Sequence, residues 1–418
     1  MPDYKCQIVK AINKLRPMSK ELCLRCKSSR LLCRRPSCPL LAKLKIQSPL
    51  EDKLKEDIYG PSPGIFVGHR GYPDVFIGPL TTLEPELAEI SDNPNRWYGF
   101  DFNEIIKLRS TLVRSKSRQS VKEKTKLIEK SQEIALSVKP AYTEISFERK
   151  PSFSVSFSTV SQPQGPVGLI KKFDIAGNTK IPEKVDSIVG DEISSTEAAM
   201  LLFKSGYDVY YVTKVLSSGV LGREDRKKLV PTRWSITATD DILGKAIINE
   251  IKDYPVINEY RVYSNTYLDN HFEILLLPRK WEYEQFEAWA PNTLWTLAME
   301  KPAINYEYEG YHGRSNYAEQ EGGGYYAARF GVLEAIAKLR KQACAVVFRE
   351  IYEGYIMPVG VWEVRENVRK AMASEPDKYN TLNEALNNIS KRLKIPMNEY
   401  LTRTRILRQR RLEDFLNV

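Results

Sequence analysis

Four cysteines crowd into sixteen residues near the start of the chain, in CLRCKSSRLLCRRPSC, spaced C-x2-C-x6-C-x4-C. No other feature constrains the fold so tightly. A C-x2-C knuckle brings two thiolates to one metal, and a second pair a short loop away completes a tetrahedral four-sulfur set. Cys23, Cys26, Cys33 and Cys38 are therefore the expected ligands of a structural Zn2+ ion. With all four positions filled, no open coordination place is left for catalysis. Arg25, Lys27, Arg30, Arg34 and Arg35 surround the set and partly offset the charge of a zinc–tetrathiolate centre. An iron–sulfur cluster is the alternative occupant, while disulfides are disfavoured in a reducing cytosol. Cys6 is a candidate substitute ligand, and Cys344, in RKQACAVVFREI, reads as a small buried apolar residue.

The same segment carries the charge. The 418 residues hold 63 Lys and Arg against 53 Asp and Glu, a net charge of +10. Residues 1–50 set twelve basic residues against Asp3 and Glu21, a surplus equal to that of the whole chain. Residues 107–130 set nine against two, and the acidic stretch 51–106 separates the two basic blocks with eleven acidic residues against four basic. Blocks of this kind in a near-neutral body point to a polyanion partner, nucleic acid rather than a membrane. The alternative is a solvated surface of interspersed charges, as thermophile proteins carry. No apolar run approaches the ~20 residues of a membrane-spanning helix. The opening MPDYKCQIVKAINKL lacks the apolar stretch of a secretory signal, so the expected address is cytoplasmic.

The length suggests two to four domains, and the pattern of segments predicts an α+β fold. Residues 1–50 form the basic zinc module, which folds only with its metal. Residues 51–362 form a mixed-sheet body with packed helices. Within it IFVG and VFIG, bounded by Gly and Pro, read as strands. Residues 103–137, polar and Lys-rich, read as helix. Residues 142–147 and 153–159 read as strands by period two. STEAAMLLFK is a helix to about Ser205, and YDVYYVTKVL a further helix or strand. FEILLLP is a central strand, and AVVFREI with GYIMPVGVWEV a strand pair. Residues 363–402 are mainly helical, with breaks at Pro376 and Pro396, and 403–418 form a basic, flexible tail.

That tail ends in Gln409-Arg410-Arg411-Leu412-Glu413-Asp414-Phe415-Leu416. The spacing is Q-x-x-aliphatic-x-x-aromatic-aliphatic. One 3₁₀-type turn gathers Leu412, Phe415 and Leu416 into an apolar plug and leaves Gln409 for a polar pocket. This resembles the peptide by which proteins bind the sliding clamp PCNA. Arg403, Arg405 and Arg408 ahead of it suit an acidic clamp surface. The competing reading is an amphipathic helix that returns to its own core.

The four-cysteine module, the phrases FVGHRGYPDVFIGPL and GGGYYAARFGVLEAIAKLRKQ, and the terminal peptide together resemble the archaeal Nre DNA-repair family. The resemblance spans nearly the whole chain. It implies a role in DNA repair and clamp binding through the terminal motif. It assigns no reaction, and no role to His69 or Arg70.

The chain has three histidines, His69, His271 and His312. His312 lies in GYHGRSNYAEQEGGGYYAAR, the strongest candidate for a ligand site. Gly322, Gly323 and Gly324 open a helix whose unpaired backbone N–H groups suit a phosphate or nucleotide. Arg314 and Arg329 suit a clamp on it, Asn316 and Gln320 a base or sugar edge, and Glu321 acid–base work, with His312 as a second catalytic candidate. Tyr317, Tyr325 and Tyr326 offer stacking faces. The competing reading is a glycine turn with tyrosines in the core. His69 and Arg70, in the turn-rich GHRGYPD, are further ligand candidates. In SITATDD, Asp240 and Asp241 suit a metal at a strand end, or cap the helix that follows. Asp241 joins the catalytic candidates on the first reading. Trp281, Trp289 and Trp295 read as core or interface. No P-loop, Rossmann fingerprint, nucleophile elbow or H-E-x-x-H motif is present. Two functions follow: a clamp-recruited repair factor that binds DNA, or an enzyme acting on DNA ends, a nucleotide or a nucleotide-derived cofactor.

Overall fold

The computed structural model describes residues 25–26, 30–32, 38–153, 162–293, 296–297 and 299–408. Cys23, Cys33, Trp295, Gln409, Leu412, Phe415, Leu416 and the strand expected at 153–159, save Phe153, lie outside them. The architecture is α+β, in two compact units that part between Leu243 and Gly244.

The first unit is built on a six-stranded sheet of β1 (Asp57–Ser62), β2 (Gly64–Val67), β3 (Asp74–Thr82), β4 (Leu112–Ser120), β5 (Ala141–Phe147) and β6 (Val167–Ile175). Their order is β1-β5-β6-β4-β3-β2, antiparallel throughout except where β4 meets β6. Strict alternation sets the inner face of β5, where Ala141, Thr143, Ile145 and Phe147 are buried. Ala141, Ile145 and Phe147 pack with Ile65, Val75, Ile77, Val113 and Phe173. The helices of this unit are α1 (Pro39–Glu51), α2 (Ala88–Ser91), α3 (Phe102–Thr111), α4 (Lys126–Leu136), α5 (Glu183–Gly190), α6 (Ser195–Lys204), α7 (Val209–Ser217) and the start of α8 (Thr232–Ile251). α3 opens with a capping box, the Asp101 side chain accepting from the Glu104 N–H and the Glu104 side chain from the Asp101 N–H, an arrangement that stabilises a helix start by ~1 kcal/mol. α4 buries Ile128, Ile134 and Ala135 against the sheet core, and α5, α6 and α7 enclose a second cluster around Leu202, Val212 and Val215.

Two expectations fail here. The segment 103–137 is not one helix, because β4 interrupts it. Ser115, Ser117 and Ser120 lower its helix propensity, and period two buries Val113 and Ser115 while Arg114, Lys116 and Arg118 face outward. Conversely SITATDD is neither strand nor cap. It lies inside α8, whose start at Thr232 leaves Asp240 and Asp241 in mid-helix. The short polar alternation there imitates period two by chance.

The second unit carries β7 (Tyr260–Tyr267), β8 (Asn270–Leu277), β9 (Tyr283–Trp289), β10 (Ala303–Glu309), β11 (Cys344–Ile351) and β12 (Asp377–Tyr379), in the order β10-β9-β11-β8-β7-β12. β11 runs parallel to β9, and the other neighbours are antiparallel. β8 is interior, as its apolar run predicts, and every residue in it is buried. Leu268 and Asp269, both at positive φ (48° and 59°), turn β7 into β8 in the way that matches strand twist. The helices are α9 (Gly323–Lys338), α10 (Val361–Met372), α11 (Leu382–Arg392) and α12 (Met397–Leu401). GYIMPVGVWEV is not a strand partner for β11. Pro358 lacks a ladder donor, Gly360 at φ 115° starts α10, and Val364 and Val368 share its buried face at helical spacing. Buried Glu284 binds the C-terminal segment to β9. It accepts from the hydroxyls of Tyr306 (2.7 Å) and Thr404 (2.5 Å) and from the N–H groups of Arg405 (2.5 Å) and Ile406 (3.3 Å).

Candidate functional site

The glycine run starts α9 in the expected way. Gly322 sits at φ 57°, which L side chains rarely adopt, and Gly324 presses the first turn onto β9 and β11. A Cβ at Gly324 would lie 3.4 Å from Glu287 Oε2 and 3.5 Å from Arg349 Nη1. The helix therefore begins over a buried group of charges.

Glu321 stands at its centre, only 8% exposed. Neither of its carboxylate oxygens has a hydrogen-bond partner. Burial pushes its carboxyl well above the usual carboxylate range. The charges of Glu287 and Glu307 add to the shift, and Arg349 opposes it. Arg349 donates to Glu287 at 2.5 Å, to Asn270 Oδ1 at 2.7 Å and 3.1 Å, and approaches Glu363 at 3.5 Å. Glu363 is itself raised to about 7, chiefly by burial, with Glu287 contributing. Carboxyl groups kept protonated near neutral pH are the chemistry of general acids and of carboxylic hydrogen-bond donors.

The structure brings only some of the predicted residues to this group. Arg314 is there, donating to Glu307 at 2.9 Å and to the backbone carbonyls of Asn316 and Tyr317, with its guanidinium 4.8 Å from the Tyr325 ring centre. Gln320 is exposed, with its N–H on Glu307 at 2.8 Å and its side-chain oxygen accepting from the Tyr306 N–H at 3.2 Å. Arg329 is fully buried, 2.6 Å from Glu309 and near the faces of Tyr325 and Tyr326. Asn316 and His312 are exposed, the latter edge-on to Tyr311. Tyr325 and Tyr326 are buried, while Tyr317 remains exposed. Glu287, Glu307, Glu309, Arg349 and Glu363 were not among the expected residues. Their signal was charge inside otherwise apolar strands, such as Arg349 in CAVVFREI, since a buried charge needs a partner.

The first unit holds the other candidates. His69 and Arg70 lie in the loop between β2 and β3, with Arg70 exposed and close to Lys116. The outward side of β4 lines up Arg114, Lys116 and Arg118. Asp240 is fully buried and Asp241 half-buried on α8. Among the described residues no group of three or more His, Cys, Asp or Glu side chains is placed to hold a metal, so the metal reading of the aspartate pair is not supported. Of the four clustered cysteines, Cys26 is buried and Cys38 occupies the N-cap of α1, where the helix dipole favours a thiolate. Among the described residues no helix is long and apolar enough to cross a membrane.

Two family models divide the chain. "Archaeal Nre, N-terminal" matches residues 32–296 and "Archaeal Nre, C-terminal" matches residues 309–416. The chain belongs to the archaeal Nre family. Among curated Nre proteins, it is 37% identical to DNA repair protein NreA of Archaeoglobus fulgidus over 89% of this chain and 93% of that protein. It is 36% identical to DNA repair protein NreB of the same organism, over 94% of this chain and 100% of the relative. DNA repair protein NreA of Haloferax volcanii shares 32% identity over 83% and 87% of the two lengths. No solved structure matches this Nre chain.

Proposed function

We propose that this Nre chain is a DNA-repair factor that binds DNA through basic surfaces and is recruited to the PCNA clamp by its terminal peptide. The repair role is supported by family membership and by relatives named DNA repair proteins. The observation that carries DNA binding is the row Arg114, Lys116 and Arg118 on one strand, with Arg70 beside it. Such a row contacts a phosphate backbone without reading sequence. The basic four-cysteine module, held by Zn2+ on Cys23, Cys26, Cys33 and Cys38, supplies the second basic surface. Gln409, Leu412, Phe415 and Leu416 supply the clamp contact. The test is DNA affinity against salt. The log–log slope should fall by about one unit for each cation that Arg114→Ala or Lys116→Ala removes. An unchanged slope in both variants would reject this surface.

A second reading is favoured by one observation, the unpartnered buried carboxyl of Glu321. On this reading Glu321 is the general acid of an enzyme acting on a nucleotide or DNA end bound at Gly322–Gly324, with Arg314 on the phosphate. Glu321→Gln keeps the shape and removes the transferable proton. It should abolish any such turnover while leaving DNA affinity intact.

A further inference from the structure

The outward side of the first sheet combines cations with exposed rings. The Arg114 guanidinium stacks on Phe66 at 4.0 Å from the ring centre, and the Lys116 ammonium lies 5.7 Å from the Phe76 ring centre. Phe76 is 37% exposed on β3, directly opposite Arg118 in the β3–β4 ladder. Leu169, exposed on β6, pairs with Lys116 on the other side. A ring pair links the end of the β2–β3 loop to the first turn of α8. Tyr72 and Trp234 sit 5.1 Å apart, 42% and 45% exposed.

Acidic compensation here is thin. Asp74 reaches Arg118 only at 3.8 Å, and Asp92 pairs with Arg109. Burial, then the neighbouring charges of Arg114 and Arg70, lower the affinity of Lys116 for its proton. Like charges held together with so little counter-charge favour an anionic partner. The exposed ring of Phe76 beside them, and the exposed Tyr72–Trp234 pair, favour a flat aromatic partner. Duplex DNA supplies phosphates but keeps its base faces covered by stacking. An acidic protein surface supplies carboxylates but no series of rings. An unpaired strand supplies both, phosphate and open base face, at every nucleotide.

We infer that the outward side of β2, β3 and β4, with the Tyr72–Trp234 pair, is a binding surface for single-stranded DNA. Bases stack on Phe76 and on the Tyr72–Trp234 pair, while Arg70, Arg114 and Lys116 take the phosphates. This rests on the DNA-binding reading above and narrows it to unpaired strands, the form that damaged and processed DNA exposes.

The test is fluorescence anisotropy on the full chain, with a labelled mixed-sequence DNA strand, the same strand annealed to its complement, and an RNA strand of the same sequence. The single DNA strand should bind tightest. Phe76→Ala and Trp234→Ala should each weaken it roughly ten-fold and the duplex less than about two-fold. Lys116→Ala should weaken both. Phe76→Leu, which keeps apolar bulk but removes the ring, should behave as Phe76→Ala, separating stacking from folding. Unchanged single-strand affinity in both ring variants, with Lys116→Ala still weakening binding, would overturn the inference and leave general DNA binding intact. No binding of any strand by the parent chain would overturn both. Tighter binding of the RNA would overturn the assignment to DNA.

Discussion

Arg349 holds Glu287 at 2.5 Å but leaves Glu363 at 3.5 Å. One guanidinium thus serves a half-buried and a fully buried carboxylate unequally, and burial raises the Glu363 carboxyl to about 7. Asn367 donates to Glu363 at 2.9 Å, which opposes the shift without reversing it.

That shift has a sign. A carboxyl with a folded-state pKa above its unfolded value binds its proton more tightly when folded. Its stabilising contribution is full below about pH 4.5 and is lost as pH rises towards 7. Glu363→Gln should therefore be as stable as the parent near pH 4.5 and more stable at pH 8, by on the order of 3 kcal/mol. Urea unfolding at the two pH values checks this. A constant difference between parent and variant would refute it.

The metal prediction concerns Cys23, Cys26, Cys33 and Cys38. Elemental analysis of protein purified without chelator should give one zinc per chain. Cys38→Ser should release it and weaken DNA binding, while the main melting transition stays in place, because a small module of this kind folds on its metal. Iron with inorganic sulfide instead of zinc would assign a cluster.

The clamp prediction is read by titrating PCNA with the full chain and with a chain ending at Arg408. Phe415→Ala removes the largest apolar group of the peptide and should cost on the order of 2–4 kcal/mol of binding. Equal affinity of the full and shortened chains would show that the clamp is bound elsewhere.

Glu284→Ala should loosen the C-terminal segment. It leaves the hydroxyls of Tyr306 and Thr404 and the N–H groups of Arg405 and Ile406 without an acceptor. The expected loss is on the order of 2–4 kcal/mol. Trypsin should then cut at Arg403, Arg405 and Arg408 well before the rest of the chain. An unchanged digestion pattern would argue against the anchor.

Much of this was legible in the sequence. FEILLL announced a central strand because both of its faces are covered, leaving no polar side to alternate. The glycine run announced the start of α9 because few other residues accept the backbone at Gly322. The segment at β4 was misread because lysines and arginines are good helix formers, and only the partner strands make period two decisive there. SITATDD failed the opposite way. The charge cluster was half legible: Glu321 and Arg314 are close to the glycines in sequence, but Glu287 and Arg349 meet across 62 positions. Pairing over such a distance is set by strand register, which local pattern does not specify.

Glu350 lies near the end of β11 and takes the hydroxyls of Tyr352 (2.6 Å) and Tyr400 (2.7 Å) and the N–H groups of Lys394 (2.8 Å) and Ile395 (3.0 Å). Three of those four donors come from beyond residue 390. This decides where the gene can be shortened or fused. A stop codon placed before Lys394 leaves Tyr352 alone to serve this carboxylate inside the sheet, so the product should fold poorly however complete its strands. A stop after Ile406 spares every one of these contacts, and any reporter or affinity handle belongs on that side of the boundary.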